Sequence, residues 1–367
     1  MSRKILVVTA TRAEYFLLKP LIQRIQGQEE LELVLVVTGT HLSEFHGNTF
    51  QDIEKDGFII NHKIPIDLSL DSQEATVKAL ATVTSEMGKI LEYEKPHLVI
   101  VLGDRYEVLG VAQAALLFNI PLAHLHGGEL TLGAYDDAIR HSISKMSTWH
   151  FVSTETHRQR VIQLGEDPNR IFNVGALGIE NILKQKAEVG RPLFENPYLL
   201  ITYHPETNAS EDRLEELLEA LSSFKEFDLI FTGANADNRG IGINQRLKEY
   251  CNVNHNAKFI MNLGKDYLNV LKYAKAVVGN SSSGIIEAAY LETPTVNCGH
   301  RQRGRLAPDS VYHCEMERTD IEKAIHAALG HGSSYEYLFG EGNASSMIVD
   351  VLRRINNFHV NKEFVDL

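Results

Sequence analysis

Two short segments of this sequence carry side chains that suit acid–base chemistry. Residues 124–141 (HLHGGELTLGAYDDAIRH) hold three His, one Glu, two adjacent Asp and one Arg within eighteen positions. The other segment is Gly103-Asp104, which directly follows the apolar run 99–102. Proton-exchanging groups gathered without an evident packing role indicate general acid–base catalysis. The candidate catalytic residues are Asp104, His126, Glu129 and Asp136.

The fold has to bring these two segments together. Residues 99–102 and 120–123 are short apolar runs, which predict buried strands of a parallel sheet. The carboxyl ends of neighbouring parallel strands meet at one edge of an open α/β sheet. We therefore expect Asp104, His126 and Glu129 to share one space at that edge.

A second cluster, residues 280–287 (NSSSGIIE), indicates phosphate binding. Small hydroxyl residues and Gly between a predicted strand and a predicted helix leave backbone N–H groups that can bind an anion. Glu287 lies one turn into that helix, where a carboxylate can bind both hydroxyls of a ribose. The alternative is an N-cap with Glu287 closing a capping box. The candidate nucleotide-binding residues of this cluster are Ser281, Ser282 and Glu287.

Arg12 follows the first predicted strand, where a dinucleotide-binding fold would have glycines. The absence of that glycine pattern argues against NAD binding. An Arg at this position suits bidentate phosphate binding, and the alternative is a surface ion pair with Glu14.

Other polar groups at predicted strand ends could bind the same ligand. His204 and Asn235 follow the first two strands of the second half. The run 301–305 (RQRGR) places a positive patch in an acidic protein, and we expect one or two of its Arg to close on a pyrophosphate. The alternative for His204 is a purely structural role, and the alternative for residues 301–305 is a solvated loop. The further candidates for substrate binding are Arg105, Arg140, Arg301 and Arg305.

A metal site is the main alternative for the first cluster. His124 and His126 lie on one face of an extended segment, and Asp136 or Asp137 could complete a ligand set. No second cluster supports a metal, and Gly127-Gly128 favours the close approach of a ligand. The sequence thus predicts neither a metal nor a cofactor. Asp136 and Asp137 could also be simple N-caps.

The composition bounds the class of protein. The chain has 367 residues, 44% of them hydrophobic and 23% charged, which predicts two packed globular domains. The net charge of −12 argues against a nucleic-acid surface. Three Cys without a CxxC pair indicate a reducing compartment. No apolar run is long enough for a membrane span or a signal peptide, so we expect a cytoplasmic protein.

Short apolar strands alternate with amphipathic helices along the whole chain, which predicts parallel sheets covered on both faces. We place a domain boundary near Gly178. The prediction is α/β, with two Rossmann-like doubly wound domains, 1–177 and 178–343, facing each other across a cleft that holds the ligand. A last amphipathic helix begins at residue 344, within a C-terminal segment of about 344–367.

Seven motifs in this order resemble the UDP-N-acetylglucosamine 2-epimerase family, and within it the hydrolysing branch of sialic acid biosynthesis. They span most of the chain. The motifs are TRAEY (11–15), GDRYE (103–107), HGGE (126–129), DDAIRHSISKMS (136–147), YHPET (203–207), GNSSSGIIEA (279–288) and GHRQRGR (299–305).

The resemblance implies a fold and a reaction. The fold is the two-domain, GT-B-like arrangement of B-type glycosyltransferases, in which the last helix returns to the first domain. In the reaction, a base removes the C2 proton of UDP-N-acetylglucosamine while the C1–O bond to UDP breaks, giving 2-acetamidoglucal. Water then adds with inversion at C2, and N-acetylmannosamine leaves. The implied partners are a UDP-sugar substrate and a second copy of the chain, as a homodimer or a dimer of dimers.

The resemblance also implies residue roles. Asp104, the residue at 126 and the acid at 136 match the family's acid–base positions. Many relatives have Glu where this chain has His126, so either His126 acts here or Glu129 takes over. Most relatives also have Gly at the position of Ala10. The nucleotide-binding positions are matched by Arg12, His204, Ser281, Ser282, Glu287 and an Arg of 301–305.

Four other functions remain open from the sequence. A non-hydrolysing epimerase would keep the nucleotide sugar intact. A related hydrolysing enzyme acts on a 2,4-diacetamido-6-deoxy sugar of the legionaminic acid route. A glycosyltransferase would need an acceptor and would not exchange the C2 proton. A non-catalytic nucleotide-sugar binding protein would have no use for the acid–base cluster.

Overall fold

The computed structural model describes residues 2–69, 72–130, 135–204, 213–234, 240–355 and 358–366. These residues form two compact units. Unit 1 contains the described residues up to Asn181 and from Phe339 onward, and unit 2 contains those from Ile182 to Leu338. None of the described helices combines the length and the apolar character that a membrane span requires.

Unit 1 is built on a seven-stranded sheet in the order β3-β2-β1-β4-β5-β6-β7, with every neighbouring pair parallel. Its strands are β1 (Arg3–Thr9), β2 (Leu31–Thr38), β3 (His62–Ile64), β4 (Leu98–Leu102), β5 (Leu122–Leu125), β6 (Trp149–Val152) and β7 (Ile171–Asn173). Its helices are α1 (Arg12–Gln26), α2 (Phe50–Lys55), α3 (Gln73–Glu94), α4 (Tyr106–Leu117), α5 (Tyr135–Met146), α6 (Glu155–Gln163) and α7 (Leu177–Glu188). The last of these helices continues into the residues of unit 2.

Unit 2 repeats this architecture with a six-stranded parallel sheet in the order β10-β9-β8-β11-β12-β13. Its strands are β8 (Tyr198–Thr202), β9 (Asp228–Thr232), β10 (Ala257–Ile260), β11 (Ala276–Gly279), β12 (Thr295–Cys298) and β13 (Val311–Cys314). Its helices are α8 (Leu214–Leu221), α9 (Gly240–Val253), α10 (Tyr267–Tyr273), α11 (Ser282–Ile286) and α12 (Arg318–Leu329).

The sequence pattern predicts neither α9 nor β13. Helix α9 starts with Gly240-Ile241-Gly242, and glycine is a poor helix former, so its first turn gives no signal. Strand β13 has four residues of mixed polarity at the edge of the sheet, and only Val311 of them is buried. Short edge strands lack the apolar run that marks a central parallel strand.

Alternate residues of β1 show why the sheet of unit 1 is covered on both faces. Ile5 and Val7 join a core with helix α1, whereas Leu6 and Val8 join a separate core with α3 and α4. Successive strand residues point to opposite faces, so an entirely apolar strand requires helices on both sides.

The last helix, α13 (Ala344–Arg354), packs in unit 1 against α1. Ile348, Val349 and Leu352 belong to the same core as the buried face of α1. Buried Ser345 donates a hydrogen bond to Glu180 and accepts one from Arg24 Nε at 2.6 Å. The chain thus returns to unit 1 through an apolar face and a polar contact.

Residues 358–366 attach to unit 1 through a buried ion pair. Lys362 Nζ lies 2.8 Å and 2.9 Å from the two carboxylate oxygens of Glu166, which is 2% exposed. Lys145 Nζ and His150 Nε2 lie 2.7 Å and 3.2 Å from the same carboxylate. Burial opposes ionisation, but the hydrogen bonds from these three groups outweigh it and lower the pKa of Glu166 to about 2.

The lowered pKa of Glu166 should make the free energy of unfolding depend on pH. A carboxyl whose pKa falls from 4.5 to about 2 on folding contributes about 3 kcal/mol above pH 4.5, and this is lost as the pH falls toward 2. We expect Glu166→Gln to lower the free energy of unfolding by about 3 kcal/mol at pH 7. Urea unfolding of both proteins should show the difference shrinking below pH 4.5. Glu341→Gln, at an exposed site, is the control, and an equal effect of both substitutions would contradict the prediction.

Candidate functional site

The carboxyl ends of β4, β5 and β6 are tied together at one edge of unit 1. The Gly103 N–H donates to Leu125 O at 3.1 Å, and the His126 N–H donates to Phe151 O at 2.9 Å. Gly103 has a φ of +78°, which favours glycine and turns the chain directly before Asp104. The structure thereby brings the GDRYE and HGGE motifs to one edge, as the strand pattern predicts.

Arg140 of α5 connects three parts of this edge. It is 5% exposed, and its guanidinium pairs with Asp104 Oδ2. Its Nη1 donates to Glu129 O at 2.8 Å and to Asp137 Oδ1 at 3.2 Å. A fixed fork of N–H donors suits several oxygen acceptors at once. Arg140 therefore fixes the position of the Asp104 side chain, while its predicted role in substrate binding stays a prediction.

Glu129 is held by residues that follow β6. Ser153 Oγ donates to Glu129 Oε1 at 2.9 Å and lies 2.8 Å from His157 Nδ1. Burial lowers the pKa of His157 to about 4, so this imidazole is neutral at pH 7. Gly128 leaves no room for a side chain, since a Cβ there would lie 2.3 Å from His157 O. Arg160 Nη1 donates to Gly128 O at 3.1 Å, which fixes the turn further.

His126 lies in the same turn with a φ of +63°, which is uncommon for a residue other than glycine. Its side chain is 16% exposed. Nδ1 lies 3.3 Å from Glu129 Oε1, and Nε2 accepts a hydrogen bond from the Leu177 N–H at 3.3 Å. The two predicted catalytic residues of the HGGE motif are therefore in direct contact.

His124, the first histidine of the cluster, is fully buried and supports the turn at Gly103. Its Nε2 lies 2.8 Å from Gly103 O, and its Nδ1 lies 2.9 Å from Ser144 Oγ. A carbonyl only accepts, so Nε2 carries the proton, and burial lowers the pKa of the ring to about 3. Both ring nitrogens are hydrogen-bonded, so His124 is no metal ligand in this arrangement. Across the part of the chain that the structure describes, no three His, Cys, Asp or Glu are grouped to hold a metal.

Asp136, at the start of α5, is half-buried. Burial raises its pKa above the usual value, although Arg140 and Arg105 act in the opposite direction. The neighbouring Asp137 instead pairs with Arg140. A carboxyl that holds its proton more tightly is suited to act as an acid, whereas Asp104 is paired directly with Arg140.

Arg105 is paired within unit 1. Its Nη2 and Nε donate to the two oxygens of the fully buried Glu107 at 2.8 Å and 3.1 Å. Glu14 Oε1 lies 4.0 Å from Arg105 Nε. Arg105 side-chain atoms remain 38% exposed, so the predicted contact with substrate would be made by a guanidinium already held by Glu107.

Arg12 and Glu14 do not form the ion pair that was the alternative for this motif. Glu14 Oε2 accepts from the Ala10 and Thr11 N–H groups at 2.7 Å and 3.2 Å, and Thr11 caps α1 in return. This is a capping box, and burial raises the pKa of Glu14 to about 7. The Arg12 side chain is 74% exposed and lies 3.9 Å from Asp52.

In unit 2, Asn280 gathers three predicted binding segments. Its Oδ1 accepts from the His204 N–H at 2.7 Å, and its Nδ2 donates to His204 O at 2.8 Å. Arg301 Nη1 and Gln302 Nε2 donate to Asn280 O at 3.1 Å and 3.0 Å. A Cβ at Gly279 would lie 2.0 Å from Thr202 O, so only glycine permits this close approach. His204, Arg301 and the Ser-rich motif therefore meet at the carboxyl edge of unit 2.

The Ser-rich motif begins α11. Ser281 is the N-cap and accepts from the Ser283 N–H at 3.4 Å. Tyr267 donates to Ser283 Oγ at 2.6 Å, which orients the turn. Glu287 ends α11 instead of closing a capping box, and burial raises its pKa to about 7. Ser282 is partly exposed at the first position of the helix.

The remaining predicted binding residues lie apart from this group or outside the described residues. Arg305 lines a cavity of about 1000 Å³ beside β12, β13 and α12, together with Arg303 and Lys323. Asn235 and residues 205–207 of the YHPET motif lie outside the described residues.

Four residues that fix this site are not among the sequence candidates: Ser153, His157, Arg160 and Asn280, the last of which opens the 280–287 cluster. Asn280 directly follows a buried strand, which is a signal that could have marked it. Ser153 lies just before α6, His157 and Arg160 lie within it, and their roles depend on the contact between β6 and the HGGE turn. Local spacing carries no information about such a contact.

Solved structures share this fold. UDP-GlcNAc 2-epimerase from Neisseria meningitidis bound to UDP-GlcNAc aligns with a TM-score of 0.78 at 18% identity, covering 96% of this chain and all of that one. The enzyme from Methanocaldococcus jannaschii aligns with a TM-score of 0.74 at 21% identity, covering 95% and 99%. These likenesses and the two parallel sheets confirm the predicted fold class, two doubly wound α/β domains.

The sequence comparisons identify the family. A protein of Campylobacter jejuni named GDP/UDP-N,N'-diacetylbacillosamine 2-epimerase (hydrolyzing) is 45% identical over 88% of this chain and 87% of its own length. Polysialic acid biosynthesis protein P7 of Escherichia coli is 38% identical over all of this chain and 98% of its own length. The model of the family described as UDP-N-acetylglucosamine 2-epimerase matches residues 23–353. The chain therefore belongs to the UDP-N-acetylglucosamine 2-epimerase family.

Proposed function

We propose that this protein is a hydrolysing 2-epimerase that converts a UDP-linked 2-acetamido sugar and water to UDP and the free C2 epimer. The observation that carries the proposal is the edge of unit 1. There Arg140 pairs with Asp104, donates to Glu129 O on the HGGE turn and acts electrostatically on Asp136, whose pKa is raised by burial. Proton transfer at carbon needs a positioned base and a separate acid, and these carboxyl groups have environments suited to the two tasks.

The reaction proceeds in two balanced steps. A carboxylate takes the C2 proton, the C–H electrons form the C1=C2 bond, and the C1–O bond breaks to release UDP. Water then adds its oxygen to C1 and gives one of its protons to a carboxylate, while C2 receives a proton on the opposite face from a protonated carboxyl group. Asp104, Glu129 and Asp136 carry these proton transfers in the proposal.

Unit 2 supplies the groups for the leaving UDP. A pyrophosphate leaves more readily when donors and cations stabilise its developing charge. The meeting of His204, Arg301 and the Ser281–Ser282 turn around Asn280 supports this assignment. Glu287 binds the ribose hydroxyls in the proposal, and Arg12, Arg105, Asn235 and Arg305 are further proposed ligands.

The relatives favour a diacetamido sugar over the N-acetylglucosamine that the motifs suggest. The Campylobacter jejuni protein named for GDP/UDP-N,N'-diacetylbacillosamine is 45% identical to this chain, and a Legionella pneumophila protein named UDP-N,N'-diacetylbacillosamine 2-epimerase (hydrolyzing) is 35% identical. We therefore propose UDP-N,N'-diacetylbacillosamine as the first substrate to test. UDP-N-acetylglucosamine is the second, since the polysialic acid protein matches the whole chain. A homodimer or a dimer of dimers is the proposed assembly.

Product analysis in D₂O tests the proposal. We expect each accepted UDP-sugar to yield UDP and a free sugar with inverted C2 that carries one deuterium at C2, because the C2 proton is replaced from solvent. NMR and mass spectrometry of the products provide the measurement, with the substrate incubated without enzyme as the control. A C2-labelled sugar still linked to UDP would indicate the non-hydrolysing reaction. Binding of UDP without any product would favour a non-catalytic sensor.

A further inference from the structure

The hydrogen bonds of His126 determine which of its ring nitrogens carries the proton. A backbone N–H only donates, so Nε2, which accepts from Leu177 at 3.3 Å, carries no proton. In the neutral ring the proton then lies on Nδ1, which is 3.3 Å from Glu129 Oε1. The ring therefore accepts from Leu177 on one side, and its Nδ1 faces Glu129 Oε1 on the other.

We propose that His126 is a positioning residue for Glu129, and that Glu129, not His126, exchanges the proton with substrate. This inference rests on the proposed function. Glu129 Oε1 accepts from Ser153 Oγ at 2.9 Å and lies 3.3 Å from His126 Nδ1, so two side chains from different parts of the chain contact one carboxylate oxygen. Residues that orient a reacting group act through such hydrogen bonds, and small displacements of the group are costly to the rate.

The backbone conformation of His126 supports its assignment as a positioning residue. The φ of +63° at His126 is held by the bond from its N–H to Phe151 O at 2.9 Å. Such a conformation is unfavourable for a β-carbon and is kept where the surroundings need the side chain in one place. The conformation directs the ring between Glu129 and the start of α7.

The contact with Leu177 gives His126 a second partner. Leu177 is the first residue of α7, and the first N–H groups of a helix have no acceptor within the helix. Nε2 supplies that acceptor and is thereby withdrawn from proton exchange. Other ionisable groups lie close to this turn. His126 and Arg140 lower the pKa of both His157 and His124. Arg160 also lowers the pKa of His157, and Glu129 raises it.

Two substitutions of His126 each keep one of its two contacts and remove the other. Asn places its amide near the position of Nδ1 and tolerates the left-handed conformation, so H126N can still donate to Glu129. Gln reaches the position of Nε2, so H126Q can accept from Leu177 but leaves Glu129 without that donor. We expect kcat to fall about threefold in H126N and about 100-fold in H126Q, with KM and UDP affinity within about twofold in both.

The wild-type enzyme is assayed first, because its failure to release UDP from either substrate would refute the proposed function and not this inference. Given activity, equal and severe losses in H126N and H126Q would overturn the inference, since neither side chain titrates and His126 would then exchange the proton itself. Wild-type kcat in both variants, or loss in H126N alone, would also overturn it. In an E129Q background, H126Q should add less than about twofold, because the partner that it positions is already removed.

A measurement on the unmutated protein keeps the test decisive where a variant does not fold. In ¹⁵N-histidine spectra, the signal of His126, assigned by its absence in H126N or H126Q, is expected to show the proton on Nδ1 at neutral pH. A proton on Nε2 would overturn the inference, because the Leu177 N–H could not then donate to that nitrogen. Thermal melting of each variant shows whether kcat is compared between folded proteins.

Discussion

Asp104→Asn is expected to lower kcat about 1000-fold and to change UDP affinity by no more than about twofold. An amide keeps the shape of the side chain but cannot take a proton from carbon, and positioned general bases contribute about 10²–10⁴-fold. The loss should lie in kcat, because Asp104 belongs to unit 1 and the proposed UDP ligands around Asn280 belong to unit 2. Steady-state kinetics and calorimetric titration with UDP measure the two quantities.

The controls use matched substitutions. Asp67→Asn makes the same chemical change at an exposed position of unit 1 and should leave kcat within about twofold. Glu287→Ala should show the opposite pattern to Asp104→Asn, with UDP affinity lowered about tenfold, since a ribose contact is lost. Normal turnover by Asp104→Asn would remove this residue from the mechanism.

The position of the site could be read from the sequence because it depends on strand ends. The apolar runs before Gly103 and His126 mark neighbouring parallel strands, and all the parallel strands of a sheet end at the same edge. His204 and the Ser281 turn lie together in unit 2 for the same reason, since β8 and β11 are neighbours. Topology alone determines these juxtapositions.

The partners of each side chain could not be predicted from the strand ends. Arg140 and Arg105 are sequence candidates for substrate binding, yet their guanidinium groups are held by carboxylates of the protein itself, Asp104 and Glu107. A sequence shows that a cation lies near a strand end, but not which of several oxygen acceptors it pairs with. The partners come from elements that are distant in the chain and close in space.

Arg140 gives the second large expected effect, and it separates the two roles open to this residue. Arg140→Met should lower the free energy of unfolding by about 4 kcal/mol, because removing one partner of a buried ion pair leaves the other charge uncompensated. Asp104 and Asp137 would both lose their cation, and Glu129 O would lose a donor. We expect kcat to fall below detection at the same time, since the carboxylate at Asp104 would no longer be fixed.

Arg140→Lys should recover only part of this loss. An ammonium group keeps the charge, but it lacks the planar fork that reaches Asp104, Asp137 and Glu129 O together. Urea unfolding and kinetics of the Met and Lys variants, beside Arg191→Met at an exposed site, provide the measurement. If UDP-sugar affinity falls in Arg140→Met while stability stays at the wild-type value, Arg140 contacts the ligand, as predicted from the sequence. If stability falls and UDP affinity does not, its function is to hold the carboxylates of this edge in place.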